Sequence, residues 1–98
     1  MKHPKGTEWT LGEVRCERIR QDRKWGPQNH PDGTGPQWAT LLAEARAACN
    51  NDNWAHILRE EFYEALVETE PEKIKTELIQ VAAVAVAWAE AIDRRISG

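Results

Sequence analysis

The 98-residue sequence has no surplus of positive charge, with 13 Lys and Arg against 16 Asp and Glu for a formal net charge of −3. Non-specific DNA or RNA binding needs clustered cations to neutralise phosphates, so a polymeric nucleic acid is not an expected partner. Long hydrophobic runs are also missing. The longest weakly polar stretch, Val81 to Ala89, covers nine residues, about half of the roughly 20 that a membrane helix requires. No membrane partner is expected. The start of the chain shows no basic segment followed by an apolar run and a small-residue cleavage site, and the expected location is the cytoplasm. Two cysteines, Cys16 and Cys49, make no disulfide framework and read as reduced thiols in helices. No Cys/His set has zinc spacing.

What is present is helical patterning, with no period-two alternation that would mark a strand. Met1 to Trp9 contains Pro4 and Gly6 without periodicity and reads as a loose arm, in which His3 has no companion ligand. Thr10 followed by Glu13 forms a capping box that would open a first helix running to about Arg23. Its apolar marks (Leu11, Val14, Cys16, Ile19) are thin, so this helix is expected to lie over a core made by the others. Trp25 to Pro36 holds three prolines and three glycines and is a loop. A loop of that length in a small domain is a candidate for function. It lacks a terminal Gly-Lys-Ser/Thr and follows a helix, which excludes a phosphate-binding P-loop.

A second helix is expected from about Gln37 to Asn50, with Trp38, Leu41, Leu42, Ala45, Ala48 and Cys49 on one face. Asn50 to Asn53 interrupts it, because Asn and Asp side chains compete with helical backbone bonds and cap readily. A third helix follows from Trp54 to about Glu68. Thr69, Pro71 and Glu72 repeat the start signal for a fourth helix reaching about Ile96. At 1.5 Å per residue it would be about 39 Å long. Its middle, Val81 to Ala89, is apolar nearly all round, and three short helices can hardly surround it. The expected architecture is one all-α domain of about four helices, with a long C-terminal helix that assembles into a homo-oligomer, most simply a symmetric dimer.

The acidity lies in the C-terminal part, where residues 37–98 carry eleven Asp and Glu against six Lys and Arg. Glu60, Glu61 and Glu64 on the third helix are spaced so that Glu64 shares a face with one of the other two, and Glu77 with Gln80 repeats that spacing on the fourth. If the helices are antiparallel about a turn near Glu70, the two sets fall at similar heights. Carboxylates on facing helices repel unless a cation lies between them. A hard divalent ion resolves that conflict, and Mg²⁺ is the natural choice where water and phosphate oxygens complete its shell. One or two such ions would hold a triphosphate, polarise its phosphorus and acidify an attacking water, and Arg59, Lys73 and Lys75 are near enough in sequence to help neutralise the leaving pyrophosphate. The bland alternative is a solvated acidic face.

The run Glu60-Glu61-Phe62-Tyr63-Glu64 followed by Glu77-Leu78-Ile79-Gln80 resembles the Glu-Glu-x-x-Glu and Glu-x-x-Asp pair of the all-α nucleoside triphosphate pyrophosphohydrolases, the MazG-like family. The wider chain is similar to small members of actinobacterial and phage type, through Arg20-Gln21-Asp22-x-x-Trp25-Gly26-x-Gln28-x-His30-Pro31-Asp32-Gly33 and Gln80 to Trp88. The resemblance implies helical dimers or tetramers that use Mg²⁺ to cleave nucleoside or deoxynucleoside triphosphates to monophosphate and pyrophosphate. It implies Glu60, Glu61, Glu64, Glu77 and Gln80 as metal ligands, with Glu61 and Glu64 catalytic. Arg20, Trp25, Gln28, Asn29, His30, Arg59 and Lys73 are the substrate-contact candidates, the loop residues being suited to stack on a base and read its edge. Gln80 departs from the family pattern, since an amide offers a neutral oxygen but no charge and cannot act as a base. A replacement carboxylate would be Glu44, or Asp93 of another subunit, since Asp93 stands thirteen residues beyond Gln80, about 20 Å along the same helix. Three readings therefore stand: a pyrophosphohydrolase, a catalytically silent nucleotide-binding protein, and a structural helical oligomer.

Overall fold

The computed structural model describes residues 6–50 and 53–97, so His3 of the expected arm and Asn51 and Asp52 of the helix-breaking run lie outside it. Among the described residues four α-helices follow one another: α1 (Thr7–Trp25), α2 (Ala39–Ala48), α3 (Trp54–Leu66) and α4 (Pro71–Ser97). A single 3₁₀ turn, Pro36–Trp38, leads into α2, and no strand occurs among the described residues. The all-α fold with a long C-terminal helix is as the patterning predicts. Among the described residues, no helix is long and apolar enough to cross a membrane.

The chain divides into two compact units. One comprises Met1–Pro31 with Val86–Gly98, the other Asp32–Ala85. In the first, the N-cap of α1 lies four residues earlier than the capping box suggests. Gly6 is the N-cap residue and Thr10 lies one turn inside, buried, its amide donating to the Gly6 carbonyl at 3.1 Å. Thr7 to Trp9 is thus helix rather than arm. Thr7 does the anchoring instead, its hydroxyl donating to Glu90 Oε1 of α4 at 2.8 Å, while Glu8 in the first turn complements the helix dipole. α1 carries no apolar stripe, and Thr10 is its one buried residue among those described. A ladder of exposed pairs decorates it, including Arg18 with Asp22 at 2.8 Å. The helix ends at Gly26, whose φ of +67° admits a residue without Cβ and whose amide returns to the Asp22 carbonyl at 2.8 Å.

In the second unit, α2 packs against α3. Leu42 and Ala45 of α2, Ala65 of α3 and Ile74 of α4 are its buried apolar residues. The start of α2 differs from the expected one because Gln37 and Trp38 belong to the 3₁₀ turn rather than to the helix, which begins at Ala39. Gly35 explains this. Its φ of +143° and its amide bond to the Leu66 carbonyl at 2.7 Å pin the loop to the end of α3, and a Cβ there would meet Gln37 Oε1 at 2.5 Å. Trp38 closes the same turn, its indole N–H donating to the Gly33 carbonyl at 2.8 Å and its ring stacking on Tyr63 at 6.3 Å. Asn53 caps α3, its Oδ1 accepting the His56 amide at 2.8 Å. For α4 the expected Thr69 cap is displaced by one residue: Glu70 supplies the carbonyl that accepts the Ile74 amide at 2.9 Å, leaving Pro71 at the first helical position.

Candidate metal centre

Glu61 and Glu64 are three residues apart on α3 and therefore share a face; Glu77 projects from the early turns of α4. The three converge. Each offers a carboxylate oxygen, and these oxygens lie within 4.8 Å of one another. All three residues are half-buried. Oε2 of Glu61 and Oε2 of Glu77 are shielded from solvent yet have no hydrogen-bond partner. A buried carboxylate oxygen without a donor is costly, because the charge has given up water for nothing.

The electrostatics say the same. Burial raises the Glu61 carboxyl above its ordinary value of 4.5, and the charges of Glu77 and Glu60 raise it further. Glu64 is raised by burial and then by Glu61, Glu60 and Glu77, against which Arg46 acts in the lowering direction. Arg46 Nη2 on α2 stands 3.7 Å from Glu64 Oε1. The cluster thus favours added positive charge, whether a proton or a cation. Ligand oxygens at about 2.1 Å from one small hard ion are separated by at most about 4.2 Å, so a modest rotation of flexible Glu side chains would close this cluster on Mg²⁺. The donor set, all oxygen and all anionic, fits that group.

The remaining metal candidates are arranged differently. Glu60 lies outside the converging trio and contributes through its charge. Gln80 is exposed on α4, one turn beyond Glu77. Glu44 is exposed on α2, whereas Asp93 belongs to the other unit. Among the cations, Arg59 is half-buried on α3, and Lys73 is exposed with its ammonium 3.7 Å from Glu70. Arg46 is the residue that sequence reasoning missed. The signal was present: it is the one cation of α2 and stands four residues after Leu42, on the flank that packs toward α3.

Arg20, Trp25, Gln28, Asn29 and His30 belong to the first unit. Arg20 is occupied by Glu17, its Nε donating to Oε1 at 2.9 Å. Trp25 is 55% exposed, with the Lys24 ammonium 4.8 Å from its ring centroid. Trp25 and Gln28, with Arg18, Gln21 and Asp22, line a polar hollow of about 200 Å³ at the end of α1. Asn29 and His30 are exposed in the loop beyond it. Comparison with protein-family models, curated proteins and solved structures returns no match for this chain.

Proposed function

We propose that the Glu61, Glu64 and Glu77 carboxylates hold Mg²⁺ and that the chain is a MazG-like hydrolase, converting nucleoside or deoxynucleoside triphosphates to monophosphate and pyrophosphate. One observation carries the reading: carboxylates from two helices meet within 4.8 Å, and two of their buried oxygens lack a donor. A purely solvated acidic face has no reason to turn those oxygens inward. When bound, the ion supplies Lewis-acid polarisation of the substrate phosphorus and acidifies a water. In the balanced reaction, the water oxygen attacks the α-phosphorus and the bond to the bridging oxygen breaks. Pyrophosphate leaves, and the water's proton passes to a carboxylate, a role assigned to Glu61 or Glu64. Glu60 keeps the surroundings negative, which favours retention of a divalent ion.

Base and sugar contacts are assigned to Trp25, Gln28, Asn29 and His30. All four are exposed, and Trp25 and Gln28 line the polar hollow of the first unit; their assignment rests on the resemblance. Arg20 takes part only by leaving Glu17. Self-association belongs to the same proposal. Few apolar side chains are buried, while Leu78, Ile79, Ile92 and Ile96 of α4 remain exposed.

Gln80 favours a second reading, a protein that binds nucleotides without cleaving them, because the exposed amide adds no charge beside Glu77. One experiment separates the two. A panel of nucleoside and deoxynucleoside triphosphates is incubated with and without Mg²⁺, following pyrophosphate release and binding heat. Mg²⁺-dependent release abolished by Glu61→Gln is the outcome expected of the hydrolase. Binding without release selects the silent protein, and neither signal leaves a helical oligomer whose glutamates serve structure.

A further inference from the structure

Among the described residues, Arg46 is the cation paired with the Glu61–Glu64–Glu77 cluster. Packing places it there: Leu42 and Ala45 bury one side of α2, and Arg46 flanks them. At 3.7 Å from Glu64 Oε1 the contact is longer than a hydrogen bond. None of the guanidinium N–H groups is hydrogen-bonded among the described residues, and the side chain is 57% exposed. Such a pair contributes little to stability. An exposed guanidinium with a long ion-pair contact has donors to offer a ligand.

Charge decides what that ligand is. Three carboxylates with one divalent ion leave a net charge of −1, and Glu60 makes the surroundings more negative still. A polyphosphate approaching the cluster meets repulsion unless a fixed cation stands at the rim. The Arg46 guanidinium is planar and forked, a match for two phosphate oxygens at once. Lys73, which sequence spacing favours for this role, is instead beside Glu70.

We propose that Arg46 is a substrate-binding residue that receives a phosphate group of the polyphosphate held at this cluster. The proposal rests on the metal-dependent reading above and names the side chain that would make the site accept an anion. The test uses the full chain and calorimetric titration, first with Mg²⁺ alone and then with inorganic pyrophosphate at saturating Mg²⁺. Arg46→Met should leave Mg²⁺ affinity unchanged or raised, since a competing cation is removed, and should weaken pyrophosphate binding roughly tenfold or more. Arg46→Lys should recover part of that loss, keeping the charge without the fork. Circular dichroism spectra matching the wild type establish that the variants fold. Unchanged pyrophosphate affinity in Arg46→Met overturns the proposal. So does a parallel loss of Mg²⁺ affinity, which would make Arg46 an organiser of Glu64. A wild-type chain that takes up no Mg²⁺ overturns the metal reading itself, a failure visible before any variant is made.

Discussion

Glu61 has two reasons to hold a proton, its burial and its neighbours Glu77 and Glu60, and Glu64 shares the first and adds the charge of Glu61. Both carboxyls therefore titrate higher when folded than when unfolded. Between the two values the folded chain binds more protons, so stability is fully present below the ordinary value of 4.5 and declines as pH rises through the raised values. The melting temperature of the metal-free chain should accordingly fall between weakly acidic and neutral pH by more than that of Glu61→Gln. Mg²⁺ should restore it most at neutral pH, where the carboxylates are ionised. Parallel melting curves for the two proteins, with or without the ion, would count against a shared cation site. Gln80→Asp adds one carboxylate a turn beyond Glu77. It should raise Mg²⁺ affinity and any pyrophosphate release together, read by titration and by product assay. At this scale the sequence disclosed that Glu61 and Glu64 share a face, because i, i+3 spacing is a property of the helix itself, and the structure adds Glu77 to them while leaving Glu60 and Gln80 outside the converging trio. It did not disclose Arg46, whose place depends on how α2 lies against α3, or the engagement of Arg20 by Glu17.

The helices were legible where periodicity and local chemistry agree. Asn53 shows this well: it follows a run of residues that oppose helix, precedes an apolar face, and accepts the His56 amide at 2.8 Å. Asn53→Ala should cost about 1 kcal/mol, a loss of roughly 4–8 °C in melting temperature for a domain of this size. Thermal melts against the wild type check it, and an unchanged melting temperature would show that the cap is dispensable. Leu42→Ala, at the contact of α2 with α3, should cost more, about 2–5 kcal/mol. The boundaries were less legible. Thr10 and Thr69 both head a plausible capping box, yet Gly6 and Glu70 occupy the capping positions. At the first the competitor is a distant contact, the Thr7 hydroxyl with Glu90; at the second it is local, the fixed geometry of Pro71 at the first helical position.

For the whole chain, the question is what covers α4. Leu42, Ala45, Ala65 and Ile74 are the buried apolar residues among those described, and no large side chain reaches full burial. A chain of this length normally buries well over half of the surface its unfolded form exposes. Four exposed large apolar residues on one helix, with Ile79 at 62% and Ile96 at 74% exposure, are therefore surface in search of a partner. A second copy is the partner that the proposed assembly supplies, since a two-fold axis brings the same helix against itself. The expected solution mass, by light scattering at micromolar concentration, is that of two chains or an even multiple. Replacing Leu78 and Ile79 together with Lys should shift it to one chain, because each buried apolar side chain contributes about 1.5–3 kcal/mol and like charges then face each other across the axis. The double variant also discriminates assembly from folding. If its helical signal persists while the mass halves, α4 is an interface. A wild-type chain that already sediments as a monomer would remove self-association from the proposal and leave the carboxylate cluster, which lies within one unit of one chain, to be judged by its affinity for Mg²⁺.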